Sequence, residues 1–212
     1  MSSGLASLGR PGMTEEAERG MKTLAISTLT ICGIDELPGN SRREVTHVLS
    51  VLDPGRPELD AFGAYGEHQR VTLRFHDIIE PLPGQIMPSA EHIGEILRFG
   101  EGLRETAAAR TSGHLLVHCH MGISRSTAAM LALMAQADPA ENEGMLFARL
   151  RAIRPQAWPN SVMVGFADEQ LGRQGRLIAA LGQHYAYQIG VQPKFRIWMN
   201  DLGRRRELEM AV

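Results

Sequence analysis

Apolar residues recur along the chain in two rhythms, and the switches between them predict alternating strands and helices. Thr23 to Ile31 alternates weakly and is rich in β-branched residues, which predicts a first strand. Thr46 to Leu52, closed by the turn signal Asp53-Pro54-Gly55, predicts a second, and Arg70 to Phe75 a third. Gly33 to Asn40 between the first two reads as a short helix or turn, and the polar stretch Arg56 to Glu67 as a loop with a helical turn. His114 to His118 is a short apolar run of the kind buried in mid-sheet.

Helical spacing takes over from Pro88-Ser89 to about Arg110, where Ile93, Ile96, Leu97, Gly100 and Leu103 make one stripe. Ser124 to Gln136 is apolar nearly all round, so it predicts a buried helix. Asp138-Pro139 supplies a cap and a first-position proline for another, running through Arg154. Pro159-Asn160-Ser161 opens a last long helix toward Tyr185, with interruptions expected at Gly172 or Gly175. Beyond Pro193, Phe195, Trp198 or Met199, and Leu202 suggest an amphipathic helix ending in Arg204-Arg205-Arg206. Strands alternating with helices predict an α/β fold: a mostly parallel central sheet of about four to five strands flanked by helices.

Composition narrows the class without changing this picture. At 212 residues, 43% apolar and 22% charged, the chain can bury a core without staples. A net charge of -2 gives no electrostatic reason to expect nucleic acid. Two cysteines make no disulfide framework and suit a reducing compartment. Residues 1 to 21 lack periodicity and read as a flexible N-terminal tail without the apolar core of a secretory signal. The longest apolar run, Ala128 to Ala135, is far short of the ~20 residues of a membrane span. A cytoplasmic location is expected.

The chemistry concentrates where the buried strand ends. Cys119 is followed six positions later by Arg125, with Gly122 between them and a helix beginning beside the arginine. A tight loop at a helix N-terminus turns its N–H groups toward one anion and adds partial positive charge. The amides from His120 through Met121, Gly122, Ile123 and Ser124 to Arg125 could cradle three phosphate oxygens, and the Arg125 fork could grip two of them. Cys119 then stands where a thiolate nucleophile would attack phosphorus. A leaving group needs a proton, which calls for a carboxylic acid on a mobile loop. Asp77, in the Pro/Gly-bordered segment His76 to Gly84, is best placed; Glu80 competes, and Asp53 is a distant third. His114, His118 and His120 are discounted as a metal site, because alternate strand positions face opposite ways and the loop offers no further ligand cysteine. No metal or cofactor is expected.

The run His118-Cys119-x-x-Gly122-x-x-Arg125-Ser126 resembles the phosphate loop of cysteine-dependent protein tyrosine phosphatases, most closely the compact dual-specificity branch. Arg154-Pro155 … Pro159-Asn160 … Phe166 … Gln170-Leu171 resembles the run that follows the loop in that branch. Through His76-Asp77-Ile78 and Ser124-Arg125-Ser126-Thr127 the chain is also similar to a group of bacterial predicted tyrosine phosphatases. The resemblance covers roughly Thr23 to Leu171. It implies that Ser126 stabilises the thiolate, that His118 orients the loop, and that Asp77 is the general acid. Asp77 lies farther upstream of Cys119 than the compact branch usually has it, and the insertion Glu80 to Pro88 could account for most of that distance.

The resulting expectation is a tyrosine or dual-specificity phosphatase domain over residues 22–190, with a C-terminal extension over 191–212. Its substrate would be a phosphorylated protein or a small phosphate ester. The loop carries no lysine, which argues against highly phosphorylated inositols. An inositol-phosphate phosphatase and a catalytically weak phosphate-binding adaptor remain as alternatives.

Overall fold

The computed structural model describes residues 25–109 and 111–211; the N-terminal segment read as a tail lies outside them. Among these residues four strands form one sheet: β1 (Thr28–Cys32), β2 (His47–Leu52), β3 (Gln69–Arg74) and β4 (His114–His118). Their order is β1-β4-β2-β3, and every pairing is parallel. β4 is central, with Val117 opposite Ile31 on one side and Leu49 on the other. It is buried along its whole length, as its unbroken apolar run requires.

Among the described residues eight α-helices accompany the sheet: α1 (Leu37–Asn40), α2 (Ala90–Glu105), α3 (Arg125–Ala137), α4 (Glu143–Ile153), α5 (Ser161–Gln170), α6 (Arg176–Val191), α7 (Lys194–Asp201) and α8 (Arg205–Glu209). Their distribution is uneven. The large core joins one face of β4, through Leu115 and Val117, to α2 through α7. The opposite face, through Leu116, has a thin cover made by Cys32, Leu37, Val45, Val48 and Phe62. The nearly all-apolar α3 lies inside the large core with eleven of its thirteen residues buried.

Two element boundaries differ from the sequence expectation, each for a local reason, and a third falls at the glycines where an interruption is expected. Asp138 ends α3 instead of starting α4: its side chain takes the Ala140 N–H, and Asn142 caps α4 by accepting from Gly144 at 2.8 Å. α2 stops at Glu105, where the Thr106 hydroxyl turns back to the Gly102 carbonyl, and a 3-10 turn Ala107–Ala109 follows. The last long helix is broken between α5 and α6, where Gly172, Gln174 and Gly175 all take positive φ. Asp168 bridges that break, accepting from Gly175 N and Leu177 N.

Candidate active site

The loop between β4 and α3 opens at the carboxyl ends of parallel strands, where such sheets bind ligands. Its carbonyls are pinned outward one after another. His120 O accepts from Ile34 N at 2.9 Å, Met121 O and Gly122 O accept from Arg154 at 3.0 Å each, and Ile123 O accepts from Trp158 N at 2.8 Å. In a trans peptide the next N–H points opposite to the carbonyl, so the amides of Met121, Gly122, Ile123 and Ser124 turn inward. Arg154 is itself held by Glu36, whose carboxyl its guanidinium keeps below the usual range. The Arg-Pro pair thus acts as an external brace on the loop.

Cys119 and Ser126 stand at the centre of this cradle, both buried, with Sγ and Oγ 3.2 Å apart. Ser124 occupies the N-cap position of α3, yet its hydroxyl makes no cap; it donates to Asp77 Oδ1 at 2.8 Å. The positive end of α3 therefore faces the cradle without a serine oxygen across it. Arg125, 3% exposed, donates from Nη1 to Asp53 Oδ1 at 2.7 Å and to Phe75 O at 2.5 Å. Its Nε is buried without a hydrogen-bond partner among the described residues, 4.0 Å from Asp77 Oδ2. A buried donor left open beside inward-facing amides is what an oxyanion would fill.

The three histidines His114, His118 and His120 serve the frame. His118 Nε2 pairs with Ser50 Oγ at 2.6 Å, and burial pushes its pKa down to about 4, so the ring is neutral. His120 Nε2 accepts from Asp53 N at 3.4 Å and lies 3.6 Å from the Asp53 carboxylate. His114 is tied to Thr30 and to the Arg43 carbonyl. Met121 projects at the rim, 58% exposed, whereas Ile123 is nearly buried.

Of the three carboxylates weighed from sequence, Asp77 meets the loop, Asp53 clamps Arg125, and Glu80 lies exposed in the same segment as Asp77. Asp77 Oδ1 receives Ser124 Oγ, Asn160 Nδ2 at 3.0 Å and Arg204 Nη2, while Oδ2 faces the loop arginine. Burial works against its charge, but Arg204, Arg125 and the two neutral donors outweigh it and hold the carboxyl below its ordinary value. Arg204 and its partner Glu207 escaped the sequence reading, because a three-arginine run ordinarily marks a solvated surface. The one available signal was Gly203, a helix-ending residue, directly before Arg204 and after an apolar stripe.

The second cysteine is of a different kind. Cys32 ends β1 on the thin-cover side of the sheet, and burial, aided by Glu36, pushes its thiol up to about 12. Cys119 belongs to the large core on the other face.

No family model matches the chain. It is 35% identical over 156 residues to protein phosphatase Slingshot homolog 3 of Homo sapiens, a match covering 72% of this chain and 20% of the relative. The chain thus spans about a fifth of the length of the curated relative it matches. Among solved structures, the human tyrosine phosphatase-like serine/threonine/tyrosine-interacting protein superposes with a TM-score of 0.51 at 18% identity, over 71% of this chain and 95% of that one. Human DUSP28 gives 0.51 at 15% identity, over 69% and 92%. The fold is that of the dual-specificity-like cysteine-dependent phosphatases. In this fold the loop after the central strand, the Asp77 segment after β3 and the Pro159-Asn160 run come together around one cradle.

Proposed function

We propose that the chain is a cysteine-dependent protein tyrosine or dual-specificity phosphatase working through a cysteinyl-phosphate. The observation that carries this reading is Cys119 Sγ, 3.2 Å from the Ser126 hydroxyl, inside a loop whose carbonyls are all tied outward. In the first step the Cys119 thiolate forms an S–P bond in line with the departing oxygen. The P–O bond breaks as the proton on Asp77 Oδ2 passes to that oxygen. In the second, the Asp77 carboxylate takes a proton from water, whose oxygen attacks phosphorus; the S–P bond breaks and Ser126 receives the returning thiolate. Arg125 Nε and the inward amides balance the charge on the equatorial oxygens in both steps. No step calls on a metal.

His118, neutral and locked to Ser50, holds the strand end in register and takes no proton. Of the loop's variable residues His120, Met121, Ile123 and Ser124, Met121 is exposed while Ile123 and Ser124 are buried, and their lack of a lysine supports a phosphoprotein over a highly phosphorylated inositol. Among the described residues no helix is long and apolar enough to cross a membrane, and we place the enzyme in the cytoplasm. The C-terminal residues 191–212 form an extension to the phosphatase domain in this reading. The test is hydrolysis of p-nitrophenyl phosphate, then of phosphopeptides and inositol phosphates, with and without chelator. Turnover insensitive to chelation and strongest on phosphopeptides is the expected result; a wide preference for inositol phosphates would overturn the protein-substrate assignment.

A further inference from the structure

The acid side of the site depends on residues far beyond the region of family resemblance. α7 ends in a left-handed turn at Gly203, φ 70°, with Arg204 N bonded back to Met199 O at 2.8 Å. This reversal directs the Arg204 side chain inward, where it is 4% exposed. Its Nη1 meets Glu207 Oε2 at 3.0 Å, and its Nη2 meets the Asp77 carboxylate. Glu207 is fully buried and accepts also from Trp158 Nε1 at 2.6 Å and from Ser161 N at 2.8 Å. Trp158 in turn is stacked between Tyr185 and Phe195, with ring centroids 4.3 and 5.3 Å apart. A guanidinium so anchored has no freedom to follow solvent, so its contact with Asp77 is part of the fold.

We propose that Arg204 is the positioning residue of the general acid: by saturating Asp77 Oδ1, together with Ser124 and Asn160, it leaves Oδ2 as the oxygen presented to the leaving group. The proposal rests on the assignment of Asp77 as the acid. The positive charge of Arg204 also favours the carboxylate, so Arg204 gives up part of the protonated fraction of Asp77 for geometry. The other charged or titratable groups around Asp77 are Arg125 from α3, with Asp53 behind it, His120 from the loop, Tyr185 from α6, and Glu207 behind Arg204. Removing Arg204 takes away the strongest opposing charge while leaving these in place.

The experiment measures kcat/KM against pH for the full chain and its R204M, R204Q and R204K variants, with p-nitrophenyl phosphate and with phenyl phosphate. C119S and D77N serve as controls. The descending limb, which reports loss of the acid proton in the free enzyme, moves to higher pH in R204M and R204Q and stays in R204K. The ratio of phenyl to p-nitrophenyl turnover falls in R204M and R204Q, because poor leaving groups need a well-aimed acid, and R204K restores part of it. Carboxyl carbon-13 titration of Asp77, assigned by its loss in D77N, reads the same interaction without turnover and should show the same order. An unmoved limb, or an unmoved Asp77 titration, in a folded R204Q overturns the proposal. Failure of D77N to change the leaving-group dependence would instead overturn the acid assignment beneath it, and activity in C119S the phosphatase reading itself.

Discussion

The two halves of the site are built in opposite ways. The half that carries the proposed nucleophile is one contiguous loop, Cys119 to Ser126, whose own backbone supplies the cradle and whose braces, Arg154 and Trp158, bind it from outside. The half that carries the proposed acid is one carboxylate held by three donors from three separate elements: Ser124 at the start of α3, Asn160 at the start of α5, and Arg204 after α7. A contiguous device is as stable as its loop. An assembled one is only as precise as the packing that brings its parts together, so it is open to adjustment from a distance.

The comparison can be broken most directly at its centre. C119S should cut turnover by at least about a thousandfold with both substrates, since it removes the thiolate proposed to form the covalent intermediate. Phosphate binding, followed by calorimetry, should survive it. D77N should lower phenyl phosphate turnover by about a hundredfold and p-nitrophenyl phosphate turnover far less. The sign of its pH effect is fixed by the direction of the Asp77 shift. A depressed carboxyl loses its proton early as pH rises, so wild-type turnover of poor leaving groups climbs toward acid, and D77N should flatten that limb.

A remote break separates the halves. E207A leaves Arg204, Trp158 Nε1 and Ser161 N without their buried acceptor and should cost about 3 kcal/mol in denaturant unfolding. In the protein that remains folded, phenyl phosphate turnover should fall while alkylation of Cys119 by iodoacetate proceeds at the wild-type rate. Equal loss of both would mean the halves are not independent. The smallest effect belongs to the other cysteine: C32A should leave turnover unchanged and cost about 1 kcal/mol of stability, as one small side chain leaves an apolar cluster. Mass spectrometry after iodoacetate should find Cys32 unlabelled in the folded protein, in keeping with a thiol pushed up to about 12.

The same division governs how much could be read from the chain. The strands, the helices and the strand-loop-helix around Cys119 follow from periodicity and local spacing, because each depends on neighbours in sequence, and the alternation of strands with helices implies the parallel pairing. The cap at Asn142 was missed because Asp138-Pro139 carries the stronger local signal, yet α3 extends to Ala137 and needs Asp138 to end it. Asp53 was weighed as an acid and instead clamps Arg125, a role that depends on where the end of β2 falls beside β4. Arg204 was invisible for the same reason: its partner lies 127 residues upstream, and only the turn at Gly203 aims it inward. Contacts made by packing leave little trace in the residues that make them.

The glycine at the middle of the loop has a thermodynamic consequence. Gly122 sits at φ 68°, and a Cβ there would stand 2.4 Å from the Cys32 carbonyl carbon; one on Gly33 would stand 2.8 Å from His120 O. Backbone therefore lies directly on backbone, and the loop and the exit of β1 move as one piece. An arriving anion finds its amides already aimed, so little ordering entropy is lost on association. Affinity is then set by the exchange of solvating water for fixed dipoles, and the conformational cost has been met during folding.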